Sequence, residues 1–186
     1  QVVINESPTQ VTLSPTNATI CNGTVQQLTA SSIYVNTGSI GTGTTTTSSN
    51  SQTSTLGPNP FQNYYGGSKQ HMLIRASTLS NLGFFTGSVI SAMQLQMAVV
   101  DLTYGLNNLK VKLQNTTLTD VSTTSMVNSG WTTVYAPITP FYPTAGYTNI
   151  PFSNTFTWDG ISNLLVEISY SNTNTGASTP SNTAYI

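Results

Sequence analysis

Leu109-Lys110-Val111-Lys112-Leu113-Gln114 alternates strictly, with Leu109, Val111 and Leu113 on one side and both lysines on the other. A period of two over six residues marks a strand with one buried face, since a helix would scatter these apolar groups around its axis. The same signal recurs on both sides of this stretch. Residues 69–76 form a strand-length run, and 89–100 alternate in part, with Ile90, Ala92 or Met93, Leu95, Met97 and Val99 inward. Residues 131–136, 147–152 and 163–170 supply three more strands. Ser77-Thr78-Leu79-Ser80-Asn81-Leu82-Gly83 is the single helical signal, with a hydroxyl cap, Leu79 and Leu82 three apart and a Gly stop. Asp159-Gly160, between Trp158 and Ile161, reads as a tight hairpin turn. Eight or nine short strands, one short helix near residues 77–83 and no β-α-β alternation predict an all-β fold, a jelly-roll-like β-sandwich.

Composition narrows the function classes. Charged residues make up 5% of the 186, where a soluble domain ordinarily carries about 25%. Ser and Thr, 23 and 33 in number, replace the usual charged surface with neutral hydroxyls. Four Lys/Arg and a net charge of −1 exclude a protein built to neutralise nucleic-acid phosphates. No apolar run approaches the roughly 18 residues of a membrane helix, so no membrane insertion is expected. The hydrophobic share of 37% and 17 aromatic residues exclude a disordered chain. A hydroxyl- and amide-covered β-protein of this kind fits an extracellular or cell-surface location. Gln1 stands where an initiator Met would, so the chain is expected to be processed or excised from something longer. The single Cys21 excludes an internal disulfide framework and a Cys-rich zinc site. It is either a small buried hydrophobe or half of a bridge to a partner outside this segment.

Two regions are expected. Residues 1–35 hold short β-prone runs, 2–4 and 11–13, broken by Pro8 and Pro15. So short a piece buries too little surface to stand alone and reads as a linker with a strand or two. Residues 36–186 form the sandwich module, entered through the Thr-rich stretch 41–50, which reads either as an edge strand followed by an exposed loop or as a disordered linker.

Candidate chemistry is sparse. Lys69, His71 and Arg75 lie on alternate positions of one predicted strand, with Leu73 between. Together they make an anion contact, or else a solvated face with Arg75 paired to Asp101, Asp120 or Glu167. His71 is the only imidazole, and no Gly-x-Ser-x-Gly, His-Glu-x-x-His or Cys-x-x-Cys motif partners it. Of the five carboxylates, Asp159 lies in a turn signature. Glu167 stands between Val166 and Ile168 and points away from both, which is not the paired arrangement a glycosidase needs. No catalytic residue is assigned and a non-enzymatic role is expected. No cofactor is required. Calcium is the one metal whose chemistry suits Asp159 and Asn163, against the plainer reading that Asp159-Gly160 closes a hairpin and Asn163 caps the next strand. Tyr64 and Tyr65, followed by Gly66-Gly67, form either a sugar-stacking loop or loop packing, while Trp131, Tyr135, Phe152, Phe156 and Trp158 read as core.

Several of these stretches in order resemble one module. They are Gly41-Thr42-Gly43 with its Thr run, Pro60-Phe61 with Tyr64-Tyr65, and Arg75-Ala76-Ser77-Thr78-Leu79 with Leu82-Gly83. Gly146-Tyr147-Thr148-Asn149-Ile150 follows, and then Phe156-Thr157-Trp158-Asp159-Gly160-Ile161-Ser162-Asn163-Leu164-Leu165-Val166-Glu167. The series resembles a β-sandwich module of large secreted and cell-surface proteins of Bacteroidota, substrates of type IX secretion that include gliding and attachment adhesins. Ala18-Thr19-Ile20-Cys21-Asn22-Gly23-Thr24 with Leu28-Thr29-Ala30 resembles the start of the immunoglobulin-like repeats that adjoin such modules. This chain has Tyr147 and Ser169 where related modules often have Trp and Cys. The resemblance implies a non-enzymatic spacer or adhesion unit whose partners are neighbouring modules or copies of the same protein. The alternative expectation is a carbohydrate-binding accessory module of a secreted hydrolase, with glycans as partners.

Overall fold

The computed structural model describes residues 10–16, 25, 27, 29–33, 37–41, 59–63, 66–121, 126–172 and 182–184. Its elements are β1 (Gln10–Ser14), β2 (Thr29–Ile33), β3 (Gly67–Ile74), α1 (Ala76–Asn81), β4 (Val89–Val99), β5 (Lys110–Thr116), β6 (Thr132–Tyr135), β7 (Gly146–Thr157), β8 (Asn163–Ser171) and β9 (Thr183–Ala184). The chain divides into two units, Gln1–Ser39 and Ile40–Ile186. In the first, β1 and β2 pair antiparallel, with Gln10 opposite Ile33 and Ser14 opposite Thr29. The runs at 2–4 and 42–50, Cys21, and the Tyr64-Tyr65 pair lie outside the described residues.

The second unit is an all-β sandwich. One sheet has the order β3-β8-β5-β6 and the other β7-β4-β9, all antiparallel. Successive strands change sheets at every step except β5 to β6, the wrapping expected of a jelly-roll-like chain. The alternation in residues 109–114 is realised as read. Leu109, Val111 and Leu113 are buried, and they meet Val134, Ile150, Phe156, Trp158, Val166 and Ile168 between the sheets. At the edges, Ser153 and Asn154 of β7 donate side-chain hydrogen bonds to the Val134 and Thr133 carbonyls of β6.

Strand β4 shows why its alternation was ambiguous. Its register on β7 shifts between Ile90, opposite Phe156, and Ala92, opposite Pro151, and this odd-numbered slip moves the inward parity. Ala92 is therefore exposed while Met93, Leu95 and Met97 turn to the core. Val99, expected inward, stays 41% exposed beyond a second irregularity against β9.

The helix begins one residue before the expected Ser77, and no side chain of its own caps it. The Ala76 N–H instead donates to Asn163 Oδ1 at 2.8 Å, while Asn163 Nδ2 donates to the Leu118 carbonyl at 2.7 Å. Asn163 is thus neither a local strand cap nor a free oxygen ligand. It ties the helix start to the segment after β5.

Asp159-Gly160 does not close a hairpin either. It lies between β7 and β8, which belong to different sheets, so the chain turns a corner across the sandwich here. Buried Trp158 holds the corner, its indole N–H donating to the Ser162 carbonyl at 2.7 Å. The Trp158 backbone exchanges hydrogen bonds with Gly87 and Ser88. Gly160 has φ +84, and a Cβ on it would overlap the Thr86 hydroxyl and lie 2.7 Å from the Thr86 Cα. Gly87 has a matching φ of +86 but open space around it. Gly87→Ala is therefore expected to cost about 1 kcal/mol, from backbone strain alone. Gly160→Ala adds a collision and should cost about 3 kcal/mol. Urea denaturation of the two variants measures the difference, and equal losses would show that the corner is not close-packed.

Candidate functional site

Strand β8 is buried on both faces. Leu164, Val166, Ile168 and Tyr170 point into the sandwich, and the opposite parity sends Leu165, Glu167 and Ser169 to the outer face of the sheet. The register sets three rows across that face. Lys69 and Lys110 flank Ser169, His71 and Lys112 flank Glu167, and Leu73 and Gln114 flank Leu165. All three lysines of the chain and its single histidine therefore share one face with one carboxylate.

Glu167 is 1% exposed, and Lys112 Nζ lies 2.8 Å from its Oε1. His71 Nε2 stands 3.0 Å from Oε2, and Lys69 Nζ lies farther off at 3.9 Å. Burial by itself pushes the Glu167 carboxyl upward. Hydrogen bonds from Lys112 and His71, and the charges of Lys112 and Lys69, outweigh it and hold the group below the ordinary glutamate value. The carboxylate is thus charged at neutral pH and braces three adjacent strands.

A cover closes over this row. Trp131, at the start of β6, stacks tilted on His71 with ring centroids 5.2 Å apart. Strand β6 lies at one end of the sheet order and β3, which carries His71, at the other, so this stacking joins the segment before β6 to the far end of the order. Its N–H donates to the Val127 carbonyl at 3.2 Å. Trp131, read from sequence as core, is a lid on the outer face instead. The Lys69–Ser169–Lys110 row next to it stays open. Lys69 has 45% of its side chain exposed, and Lys110 is exposed with no acidic partner among the described residues.

The predicted site residues thus separate. Lys69 and His71 do share a face. Arg75 does not join them, because β3 ends at Ile74. Arg75 is the exposed residue preceding α1, and its carbonyl accepts from Thr78 and Leu79. Asp159 Oδ1 accepts the Ile161 and Ser162 N–H groups at 3.0 and 2.8 Å, and the Ser162 side-chain hydrogen bond together with these backbone bonds outweighs the upward push of burial to lower its pKa. Among the described residues no three His, Cys, Asp or Glu side chains gather where they would hold a metal. Tyr64 and Tyr65 lie outside the described residues.

A second polar cluster had no sequence signal. Asn182, fully buried, donates to the Phe61 carbonyl at 2.9 Å, accepts the Asp101 N–H at 2.7 Å and receives Asn59 on its own carbonyl at 2.9 Å. Asn63 accepts the Asn182 N–H and donates to the Tyr104 carbonyl. These bonds fasten the residues around 60, 101 and 182 to one another. No family model, no curated protein and no solved structure matches the chain. Its site is read from geometry alone.

Two outcomes are expected. Because the folded-state pKa of Glu167 is lowered, its contribution to stability is complete above the unfolded value, about 4.3, and is lost as pH falls through the folded value. Glu167→Gln should cost about 2 kcal/mol at pH 7. It should also flatten the fall in stability below pH about 4.3, read from urea curves across that range. An unchanged acid limb would show that Glu167 is not braced as described. Asn163→Ala should cost about 1–2 kcal/mol. Asn163→Asp, which keeps the acceptor for Ala76 but loses the donor to Leu118, should fall between the two in thermal denaturation.

Proposed function

We propose that the chain is a non-enzymatic β-sandwich module of a long extracellular bacterial surface protein, serving as a spacer or adhesion unit. The observation that carries this reading is the use made of Glu167 and His71. The only imidazole is 7% exposed, bonded to the one carboxylate on its sheet face and covered by Trp131, so both groups act as braces between strands. Asp159 is likewise occupied with backbone N–H groups. The hydroxyl-rich, nearly neutral composition and the resemblance of the Trp158–Glu167 stretch to modules of Bacteroidota surface proteins support the same reading. Among the described residues strand β3 ends the four-stranded order, and its outer edge is the natural place for a neighbouring module or copy to pair.

Carbohydrate binding is the second reading, favoured by the open, hydroxyl-lined part of the sheet face beside Lys69 and Lys110. No helix among the described residues is long and apolar enough to cross a membrane.

Beads coated with the full chain are expected to be retained under flow on bacterial envelope fragments, beyond beads carrying an unrelated sandwich of similar charge. Equal retention would remove the adhesive role. Hydrolysis of a glycoside or ester substrate that disappears in His71→Gln would overturn the non-enzymatic one.

A further inference from the structure

The face described above is divided by what covers it. The Glu167 row lies beneath Trp131, and the next row opens into a depression of about 440 Å³ lined by Ser68, Lys69, Asn108, Lys110, Ser169 and Ser171. Gly67 completes the lining, and a Cβ there would come within 3.1 Å of the Tyr170 carbonyl. Lys69 and Lys110 occupy register positions on either side of Ser169, so their backbones stand two strand spacings, about 10 Å, apart. Both side chains rise from the face that carries Ser169. Lys112 is committed to Glu167 at 2.8 Å, whereas Lys69 stands 3.9 Å from it, beyond hydrogen-bonding range. Two of the four cationic side chains in the chain thus flank Ser169, Lys110 with no acidic partner among the described residues and Lys69 only at the outer limit of an ion pair.

We infer that this depression binds an acidic polysaccharide, with a carboxylate or sulfate group held between Lys69 and Lys110 and sugar hydroxyls on Ser169, Ser171 and Asn108. Charge complementarity selects an anion, because the face carries three lysines against one carboxylate in a chain whose net charge is −1. The lining favours a saccharide over a peptide. The side chains it offers on that face end in hydroxyl, amide and ammonium groups, and its one aromatic, Tyr170, is 4% exposed. A second copy of this chain is a poor source of the anion, having five carboxylates in 186 residues, with Glu167 and Asp101 buried. The inference rests on the reading of the module as a surface-contact unit and names the chemistry of that contact.

Affinity electrophoresis of the full chain through gels containing polygalacturonate, dextran sulfate, unmodified dextran or poly-L-glutamate tests it. Retardation is expected with either acidic polysaccharide and with neither dextran nor poly-L-glutamate. Lys69→Gln/Lys110→Gln should weaken it about tenfold or more, the loss of two charge-assisted contacts, as should added salt. Lys110→Gln alone, at an exposed position without a partner, should give a partial loss and guards against a folding defect in the double variant. Arg75→Gln removes one positive charge elsewhere and should leave binding unchanged. The site is overturned if neither polyanion retards the chain, if Arg75→Gln weakens binding as much as Lys110→Gln, or if poly-L-glutamate is bound equally well. No retardation by the polysaccharides, while coated beads still hold to envelope fragments, would remove this site and leave the surface-contact reading intact. Retardation without bead adhesion would uphold the site and remove that reading.

Discussion

A carboxylate in the middle of a strand buried on both faces has to be neutralised where it stands, and Glu167 is such a group. Leu165 on one side of it and Ile168 on the other are fully buried, and Glu167 itself is 1% exposed. An unpaired charge there would destabilise the sheet by several kcal/mol. The pairing of β8 with β3 and β5 supplies the remedy, because the same register that builds the sheet sets His71 and Lys112 directly opposite the carboxylate. A slip of one residue in either pairing would turn these side chains to the other face and strand the charge. The ion cluster therefore works as a register lock for the three strands on which the sandwich is assembled.

Trp131 follows from the same constraint. The desolvation that makes the cluster strong requires a cover, and the segment before β6 brings the indole to stack on His71. The cover is partial. Where it stops, Lys69 and Lys110 remain in solvent around a row of serines, and the electrostatic character of the molecule is concentrated there. Elsewhere a composition with 5% charged residues leaves the surface to hydroxyls and amides.

Corners between the sheets rely on different chemistry. Trp158 fills the core at the β7–β8 turn and fixes it through the Ser162 carbonyl, while Asn163 caps a helix 87 residues earlier in the chain. Asn59, Asn63 and Asn182 connect distant backbone segments with fully buried amides. In a chain with 5% charged residues, neutral amides take over the cross-linking that ion pairs provide elsewhere.

Local pattern alone established most strands of the sandwich and, outside β4, their inward faces. Leu109, Val111 and Leu113, and the opposed parity of Glu167 against Val166 and Ile168, are consequences of a two-residue repeat that any reader of the sequence can apply. Asp159-Gly160 was legible as a turn, and Ser77 to Gly83 as a short helix with a glycine stop. Which strand lies beside which was not legible, because pairing joins residues far apart in the chain and leaves no mark on either partner. Hence the row of Lys69, Ser169 and Lys110 was hidden, Arg75 was grouped with a strand that ends before it, and Trp131 was taken for core when it covers the outer face. Sequence periodicity determines which way a side chain points relative to its neighbours. Only the packing of one strand against another decides what it meets there, since the free energy of a buried charge or a stacked ring depends on groups brought together by folding.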